Sequence, residues 1–450
     1  MQSNIRFTVK FVAAVLLSSS LAVGPAVAQQ SAEESAAQKT KQAQAVSKDV
    51  YDKIQVAQEQ VEAKDYAGAL RTLNNLYNPD KLTEYEQANV LNYIGFVYYN
   101  MDDVPNAIRT YERLVAIPSL EPQLAKQTTY TLAQLYTMEE QYDKALTTLD
   151  RWFLLETNPP PDAFILKAQN LYQVQRYKDM IQPVENAMRV ARERDTPVKE
   201  DWYVLLNFAY FQQENYAKVR DIQKILLETW PKKRYWFSLA GAYTELGEDE
   251  NLINAYAAAN TQGMFEKESE FVTMAQLYLQ REVPHKAAQI LEREMESGRV
   301  SKNAKNYRLL SQAWTLAMED EKAIPALQEA ARLSSDGELD VRLGNAYLNT
   351  GKYQDCAAAV RAGLNKGGLK SPDNAQISLG MCLYNLRQYR QAIDAFKGAA
   401  DTPRSRRVAN QWINVINADI ERNEQIRLAE EAARKKQQEI EKRRAQTSRA

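Results

Sequence analysis

The residue types that most often perform chemistry are scarce in this sequence. Its 450 residues include one histidine, His285, and two cysteines, Cys356 and Cys382. A zinc site needs several Cys, His or carboxylate ligands held together, and a nucleophilic Cys or Ser needs a base beside it. A single histidine, placed after Pro284 in a predicted turn, provides neither arrangement.

Known catalytic motifs are also missing from the sequence. It has no H-E-x-x-H pattern, no G-x-S-x-G pattern and no glycine-rich phosphate loop. Carboxylates are plentiful, but they lie on predicted helix faces without an apolar pocket that would separate the pKa values of two neighbours. We therefore predict no catalytic residue, no cofactor-binding residue and no metal ligand, and a protein that is not an enzyme.

The charge balance argues against a nucleic-acid partner. The 57 Lys and Arg against 58 Asp and Glu give a formal net charge of −1, whereas a nucleic-acid-binding domain usually has a basic face. After the N-terminal segment, no stretch approaches 18 uninterrupted apolar residues. We therefore expect no stable membrane insertion of the mature protein.

Two stretches near the C-terminal end share one pattern. Residues 343–353 and 379–389 each contain an apolar-periodic helix with a glycine in its middle, a short turn and a Tyr, and they lie 36 residues apart. A second helix follows each copy. Such a period is typical of stacked helical hairpins, because one hairpin cannot bury its own apolar face. Gly344 and Gly380 would let the two helices of a hairpin cross closely.

The small positions recur along the chain, at intervals of 33 to 39 residues, and define about ten repeats within residues 49–403. On the second helix of each repeat they are Ala69, Ala107, Ala145, Met180, Val219, Leu252, Ala287, Ala323, Cys356 and Ala392. On the first helix they are Ala57, Gly95, Ala133, Ala168, Ala240, Ala275, Ser311, Gly344 and Gly380. We predict an all-α fold, a right-handed α-solenoid of about ten helical hairpins.

Repeats four and five depart from this pattern. Met180 and Val219 replace the small residue of the second helix, and Asn207 replaces that of the first helix in repeat five. Larger residues at a crossing force the helices apart. The region is interpreted either as a hinge or change of curvature, or as simple degeneracy of the repeat, and both interpretations stay open.

The N-terminal segment has the pattern of a secretory signal peptide. In residues 1–28, Arg6 and Lys10 precede a short apolar run, and Ala26-Val27-Ala28 ends the segment with small residues. We predict cleavage before Gln29 and a periplasmic protein. Residues 29–48 have almost no large apolar side chains and are predicted to be a flexible leader.

The C-terminal end changes character after residue 403. Residues 404–420 keep apolar side chains at helical spacing and are predicted to cap the last repeat, whose apolar face would otherwise be exposed. Residues 421–450 are rich in Glu, Arg, Lys and Gln and are predicted to form a projecting helical tail. The tail is either a solvated charge run or a partner-binding segment.

Cys356 and Cys382 lie at core positions of adjacent predicted repeats. Free Cys packs as a compact hydrophobic residue, and we expect this role for both. An exported protein can also form disulfides, so a bond between the two is the alternative.

The first helices of a curved stack line its groove, and amide and aromatic side chains there could bind an extended peptide. We define the first-helix surface as the residues that the register points into this groove. They are Asn92, Phe96, Tyr99, Tyr130, Gln134, Gln169, Tyr172, Phe208, Phe211, Phe237, Gln276, Arg308, Gln312, Asn345, Met381 and Tyr384. For any one of them, simple packing against a neighbouring helix is the alternative.

The repeat pattern in residues 49–403 resembles the tetratricopeptide repeat, with its small residues at the crossing and an aromatic residue closing the turn. That resemblance implies a non-enzymatic scaffold that binds a protein or peptide. The chain as a whole is similar to periplasmic tetratricopeptide proteins assigned to TonB systems of gammaproteobacteria. This likeness implies an accessory of TonB, ExbB and ExbD in the outer-membrane import of iron complexes. A scaffold for outer-membrane assembly, cell-wall coordination or polysaccharide export, and a glycan-binding accessory, are the alternatives.

Overall fold

The structure is a computed structural model that describes residues 46–447, with side chains to residue 442. The predicted signal peptide, most of the predicted leader and the last three residues lie outside the described residues. Twenty-one α-helices form within the described part, which has no β-strand. The chain divides into two compact units, with the boundary between Val198 and Lys199.

Unit one contains four helical hairpins, each a first and a second helix. The helices are α1 (Lys48–Glu62), α2 (Tyr66–Leu76), α3 (Glu84–Asn100), α4 (Val104–Val115), α5 (Pro122–Met138), α6 (Tyr142–Leu155), α7 (Pro161–Gln173) and α8 (Ile181–Glu193). Apolar side chains from successive helices, such as Leu91, Leu114 and Leu135, are fully buried between them. The core of this unit therefore runs along the stack of hairpins.

Unit two contains six hairpins and one long helix. The helices are α9 (Glu200–Phe211), α10 (Tyr216–Thr229), α11 (Lys233–Leu246), α12 (Asp249–Thr261), α13 (Glu268–Gln280), α14 (Pro284–Glu296), α15 (Ala304–Leu316), α16 (Asp320–Leu333), α17 (Glu338–Asn349), α18 (Tyr353–Lys366), α19 (Pro372–Asn385), α20 (Tyr389–Ala400) and α21 (Pro403–Thr447). A continuous apolar cluster links hairpins seven to ten. The predicted class, an all-α solenoid of helical hairpins, is confirmed.

Each hairpin has one characteristic pair of residues where its helices cross. Except in hairpin five, a small residue of the first helix is followed 16 positions later, on the second helix, by a large apolar residue. A Cβ atom added to Gly95 would lie 2.7 Å from the ring of Tyr111, and one added to Gly380 would lie 2.7 Å from the ring of Phe396. The missing side chain thus makes room for the ring, and the predicted role of the small positions has a direct geometric basis.

Nine of the ten hairpins follow this rule. The pairs are Ala57–Leu73, Gly95–Tyr111, Ala133–Leu149, Ala168–Val184, Ala240–Tyr256, Ala275–Leu291, Ser311–Leu327, Gly344–Val360 and Gly380–Phe396. In hairpin five the corresponding residues are Asn207 and Gln223.

The turn inside every hairpin has one residue in the left-handed conformation, with φ between 55° and 74°. These residues are Lys64, Asp102, Glu140, Gln175, Glu214, Gly247, Glu282, Met318, Gly351 and Arg387. A non-glycine residue adopts this conformation at a cost of about 1–2 kcal/mol. Eight of the ten turns therefore contain local backbone strain that stacking of the hairpins must offset.

Hairpin four begins its second helix late. Helix α8 starts at Ile181, and the four residues before it form turns, whereas in the other hairpins the helix begins two residues after the left-handed residue. Pro183 lies in the first turn of α8, where a proline is tolerated, although α16 accommodates Pro325 further inside without a late start. Met180, predicted to occupy a helical small site, is the N-cap of α8 and is fully buried.

The two cysteines are bonded to each other. Cys356 on α18 and Cys382 on α19 form a disulfide, with their Cα atoms 5.9 Å apart. Our expectation that both are free was wrong. Consecutive hairpins bring the two core positions within disulfide reach, a proximity that spacing along the sequence does not reveal.

The end of unit two is covered by α21. Trp412 stacks on Phe396 with ring centroids 5.7 Å apart, and Ile416 is fully buried. From residue 421 to residue 442 every side chain is exposed. The segments predicted as a cap and as a tail are therefore one continuous helix.

Candidate partner-binding surface

All residues of the first-helix surface lie on first helices, from α3 to α19. Their environments differ between the two units. In unit one they are half-buried, whereas in unit two several are exposed.

In unit one the aromatic members already have intramolecular contacts. Tyr130 packs on Trp152 with ring centroids 4.6 Å apart, and Tyr172 lies 5.9 Å from the ring of Tyr177. Burial, with a smaller effect from the charge of Asp162, raises the pKa of Tyr130 to about 12. Tyr130 is therefore a half-buried, neutral side chain.

In unit two, four of the five exposed members are polar. Gln276 on α13, Arg308 and Gln312 on α15, and Asn345 on α17 are all exposed. Among the described residues, none of these four side chains has a hydrogen bond or an ion pair. Amide groups both donate and accept, so they can pair with the main chain of an extended peptide.

Two predicted members are used by the fold itself. Phe237 packs against the rings of Tyr256 and Phe265, at 5.6 Å and 5.9 Å. The hydroxyl group of Tyr384 donates to Asp419 at 2.7 Å, because α21 passes over this side chain. The remaining aromatic member of note is Phe211, which is 51% exposed at the end of α9.

Sequence reasoning missed a set of glutamates that connect neighbouring hairpins. Glu84, Glu200, Glu268 and Glu338 are each the first residue of a first helix. Each accepts a hydrogen bond from the segment before the next first helix, 32 to 35 residues later, from Ser119, Lys232, Ser301 and Lys370 respectively. The signal that could have found them is Glu at the first position of a helix, where a carboxylate is also favoured by the helix dipole.

Glu200 has the densest of these networks. The ammonium group of Lys232 lies 2.6 Å and the guanidinium of Arg234 2.7 Å from its carboxylate, and the Tyr235 hydroxyl also donates to it. Burial alone would raise the pKa of Glu200, but these donors together hold it below its usual range. Burial and the bond to Glu200 raise the pKa of Tyr235 to about 12. The network fixes the start of α9 against the start of α11.

The described residues contain no group of three or more His, Cys, Asp or Glu side chains that could hold a metal ion. Within the same part of the chain, no helix combines the length and apolarity that a membrane span requires.

Comparison with protein families gives one match. Residues 100–187 match the family described as anaphase-promoting complex, cyclosome, subunit 3. The matched segment covers the second helix of hairpin two, hairpin three and most of hairpin four. A comparison with curated proteins finds no match.

Solved structures similar to this chain include three of note. The MamA protein is 19% identical, with 38% of this chain and 90% of that chain covered and a TM-score of 0.32. The TPR2AB domain of yeast Sti1, in a complex with pHSP90, is 17% identical, with 59% of this chain and 98% of that chain covered and a TM-score of 0.32. The Cut9–Hcn1 hetero-tetramer of APC/C is 14% identical, with 83% and 84% covered and a TM-score of 0.27. We draw no conclusion about function from likenesses this weak.

The ten helical hairpins and their repeated crossing pairs show one type of repeat. The chain folds as an α-solenoid of tetratricopeptide-type helical hairpins.

Proposed function

We propose that this protein is a non-enzymatic periplasmic scaffold that binds a protein or peptide partner along its first-helix surface. It would act as an accessory of a TonB–ExbB–ExbD system in outer-membrane transport of iron complexes. The observation on which the binding role mainly depends is the row of exposed, unpaired polar side chains on α13, α15 and α17.

These three are successive first helices of unit two, and stacking places equivalent positions of neighbouring hairpins side by side. Gln276, Gln312 and Asn345 therefore form a line of amide groups rather than scattered polar residues. An extended peptide presents N–H and C=O groups in a regular row, which amide side chains can match. Aromatic side chains such as Phe211 would bury the apolar side chains of the peptide at low entropic cost.

The periplasmic location is supported by the N-terminal pattern in residues 1–28, and the TonB role by the overall likeness noted above. N-terminal sequencing of the protein from a periplasmic extract tests the location. A mature chain that begins at Gln29 supports it, and a full-length chain in the cytoplasmic fraction contradicts it.

Crosslinking in cells, followed by mass spectrometry, tests the binding role and names the partner. We expect crosslinked partners to be lost when Phe208 and Phe211 are both changed to Ala. Removal of residues 421–450 is the matched test of the tail. If the same partners remain after both changes, the proposed binding surface is wrong. If partners are found but exclude TonB, ExbB and ExbD, the scaffold role remains and the TonB role is wrong.

A further inference from the structure

Hairpin five breaks the crossing rule that the other nine hairpins follow. Where the others pair a small residue with a large apolar one, α9 and α10 present two amide side chains, Asn207 and Gln223, at the same spacing of 16 residues. Val219, at the small position of α10, is also larger than the usual Ala and is buried at this crossing. The helices of hairpin five therefore meet through polar groups and a bulky residue.

The two amides are not satisfied where they lie. Asn207 Oδ1 and Gln223 Oε1 are both buried, and neither has a hydrogen-bond partner among the described residues. The side chain of Gln223 is 2% exposed, so solvent does not supply the missing donor. A buried acceptor without a donor destabilises the packing around it. Two such oxygens at one crossing make it weaker than its neighbours.

The same helix has an exposed aromatic residue. Phe211 lies one turn after Asn207, on the same face of α9, and it is 51% exposed. The start of α9, in contrast, is held by the network around Glu200. Helix α9 is thus fixed at its first residue and weakly packed at its centre.

We infer that the crossing of α9 and α10 is a labile joint, which opens locally while the rest of unit two stays folded. Local opening takes place where packing is weakest. This inference deepens the proposed function and depends on it for its biological role, because α9 bears Phe208 and Phe211 of the first-helix surface. Movement at the joint lets α9 adjust its aromatic side chains to an extended peptide partner.

Hydrogen exchange of the full chain without any partner, followed by mass spectrometry, tests the joint. In the wild type, amides of α9 and α10 should exchange at least tenfold faster than those of α13 and α14. The variant Asn207→Ala with Gln223→Leu, called the forward variant, installs the pair found in hairpins one, three and seven. It should slow exchange in α9 and α10 at least tenfold and leave α13 and α14 unchanged.

A reverse variant supplies the matched control. Ala275→Asn with Leu291→Gln puts the amide pair of hairpin five into hairpin seven, and it should speed exchange in α13 and α14. The forward variant remains decisive if the reverse variant does not fold. Because hairpin five lies at the start of unit two, fast exchange there could come from its end position, but then the forward variant would not slow it.

Three results would overturn the inference: equal protection of hairpins five and seven in the wild type, faster exchange in α9 and α10 of the forward variant, or unchanged exchange there. The second would mean that the two amides stabilise the crossing. Neither measurement needs a partner. If the joint is found and no partner binds, the proposed function fails while the joint remains.

Discussion

The two units contain the same hairpin but connect neighbouring hairpins by different means. In unit one, the buried Glu86 carboxylate accepts from the backbone N–H group of Ser47, Asn170 donates to Thr137 at 2.9 Å, and Lys167 forms one ion pair with Asp150. In unit two, ion pairs around Glu200 and a disulfide between Cys356 and Cys382 take this role. The repeat pattern determines how the helices cross within a hairpin. The links between hairpins are not part of the pattern and depend on individual residues.

The disulfide should give the largest effect and should act on unit two alone. Replacing Cys356 and Cys382 with Ala should lower the free energy of unfolding of that unit by about 3 kcal/mol, mainly because the unfolded chain gains freedom. Urea unfolding, monitored with and without a reductant, measures this change. The reductant should destabilise the wild type and leave the double variant unaffected. If the reductant does not change the free energy of unfolding of the wild type, the disulfide does not stabilise unit two.

Among the links between hairpins of unit one, the hydrogen bond from Ser47 to Glu86 should contribute most to stability. Burial would raise its pKa, but hydrogen bonds from Ser47 and Thr83 outweigh burial and lower the pKa from 4.5 to about 2. Because the folded value is the lower one, the stabilisation is complete above pH 4.5 and is lost as the pH falls from 4.5 towards 2.

Glu86→Gln should therefore cost about 2–3 kcal/mol at pH 7 and lose most of this difference near pH 2. Urea unfolding of the wild type and of Glu86→Gln, between pH 2 and pH 7, measures this difference. Glu200→Gln is the corresponding change in unit two, and it should cost less because that carboxylate is partly exposed. A difference between Glu86→Gln and the wild type that does not depend on pH would contradict the assignment.

The crossings should respond alike in both units, since they follow one rule. Gly95→Ala in unit one and Gly380→Ala in unit two each bring a methyl group against a buried ring, and each should cost about 2 kcal/mol. Gly241→Ala is the matched control, because an added Cβ there meets no atom within 4 Å. This change should stabilise the helix by about 0.5–1 kcal/mol. Thermal unfolding separates the outcomes, and equal effects at the three sites would refute close approach at the crossings.

The turns should give the smallest effects. Met318 is 88% exposed and has φ of 60°, so Met318→Gly should relieve strain and stabilise the protein by up to about 1 kcal/mol. Gly351→Ala, at the same turn position with φ of 74°, should destabilise it by about 1 kcal/mol. Opposite signs in thermal unfolding are expected. If both changes have the same sign, turn strain does not contribute to the stability of unit two.

Much of the fold could be predicted from the sequence, because the crossings depend on local composition. Gly95, Gly344 and Gly380 were identified from spacing alone, and the structure shows what each accommodates. The late start of α8 at Ile181 does not follow from the repeat spacing. The disulfide and the glutamate links join residues 26 to 39 positions apart, so their formation depends on how hairpins stack.

The candidate surface was less predictable than the fold. The register of the repeat correctly predicts that its residues lie on first helices. It does not predict that α21 covers Tyr384 or that Phe237 is part of an aromatic cluster. Neither contact follows from the position of the residue within its own repeat. Only one member of the amide pair in hairpin five can be predicted from the sequence. Asn207 is large for its position in the repeat, whereas the position of Gln223 is significant only in view of the spacing of 16 residues between crossing partners.

The central claim is that a partner binds the first helices and not the second helices. Two glutamines of hairpin seven allow a direct test, because Gln276 on α13 and Gln289 on α14 are both exposed. A photo-crosslinking amino acid placed at either position, in cells, reports which face a partner contacts. We predict partner crosslinks from position 276 and none from position 289. Crosslinks from position 289 alone would contradict the claim.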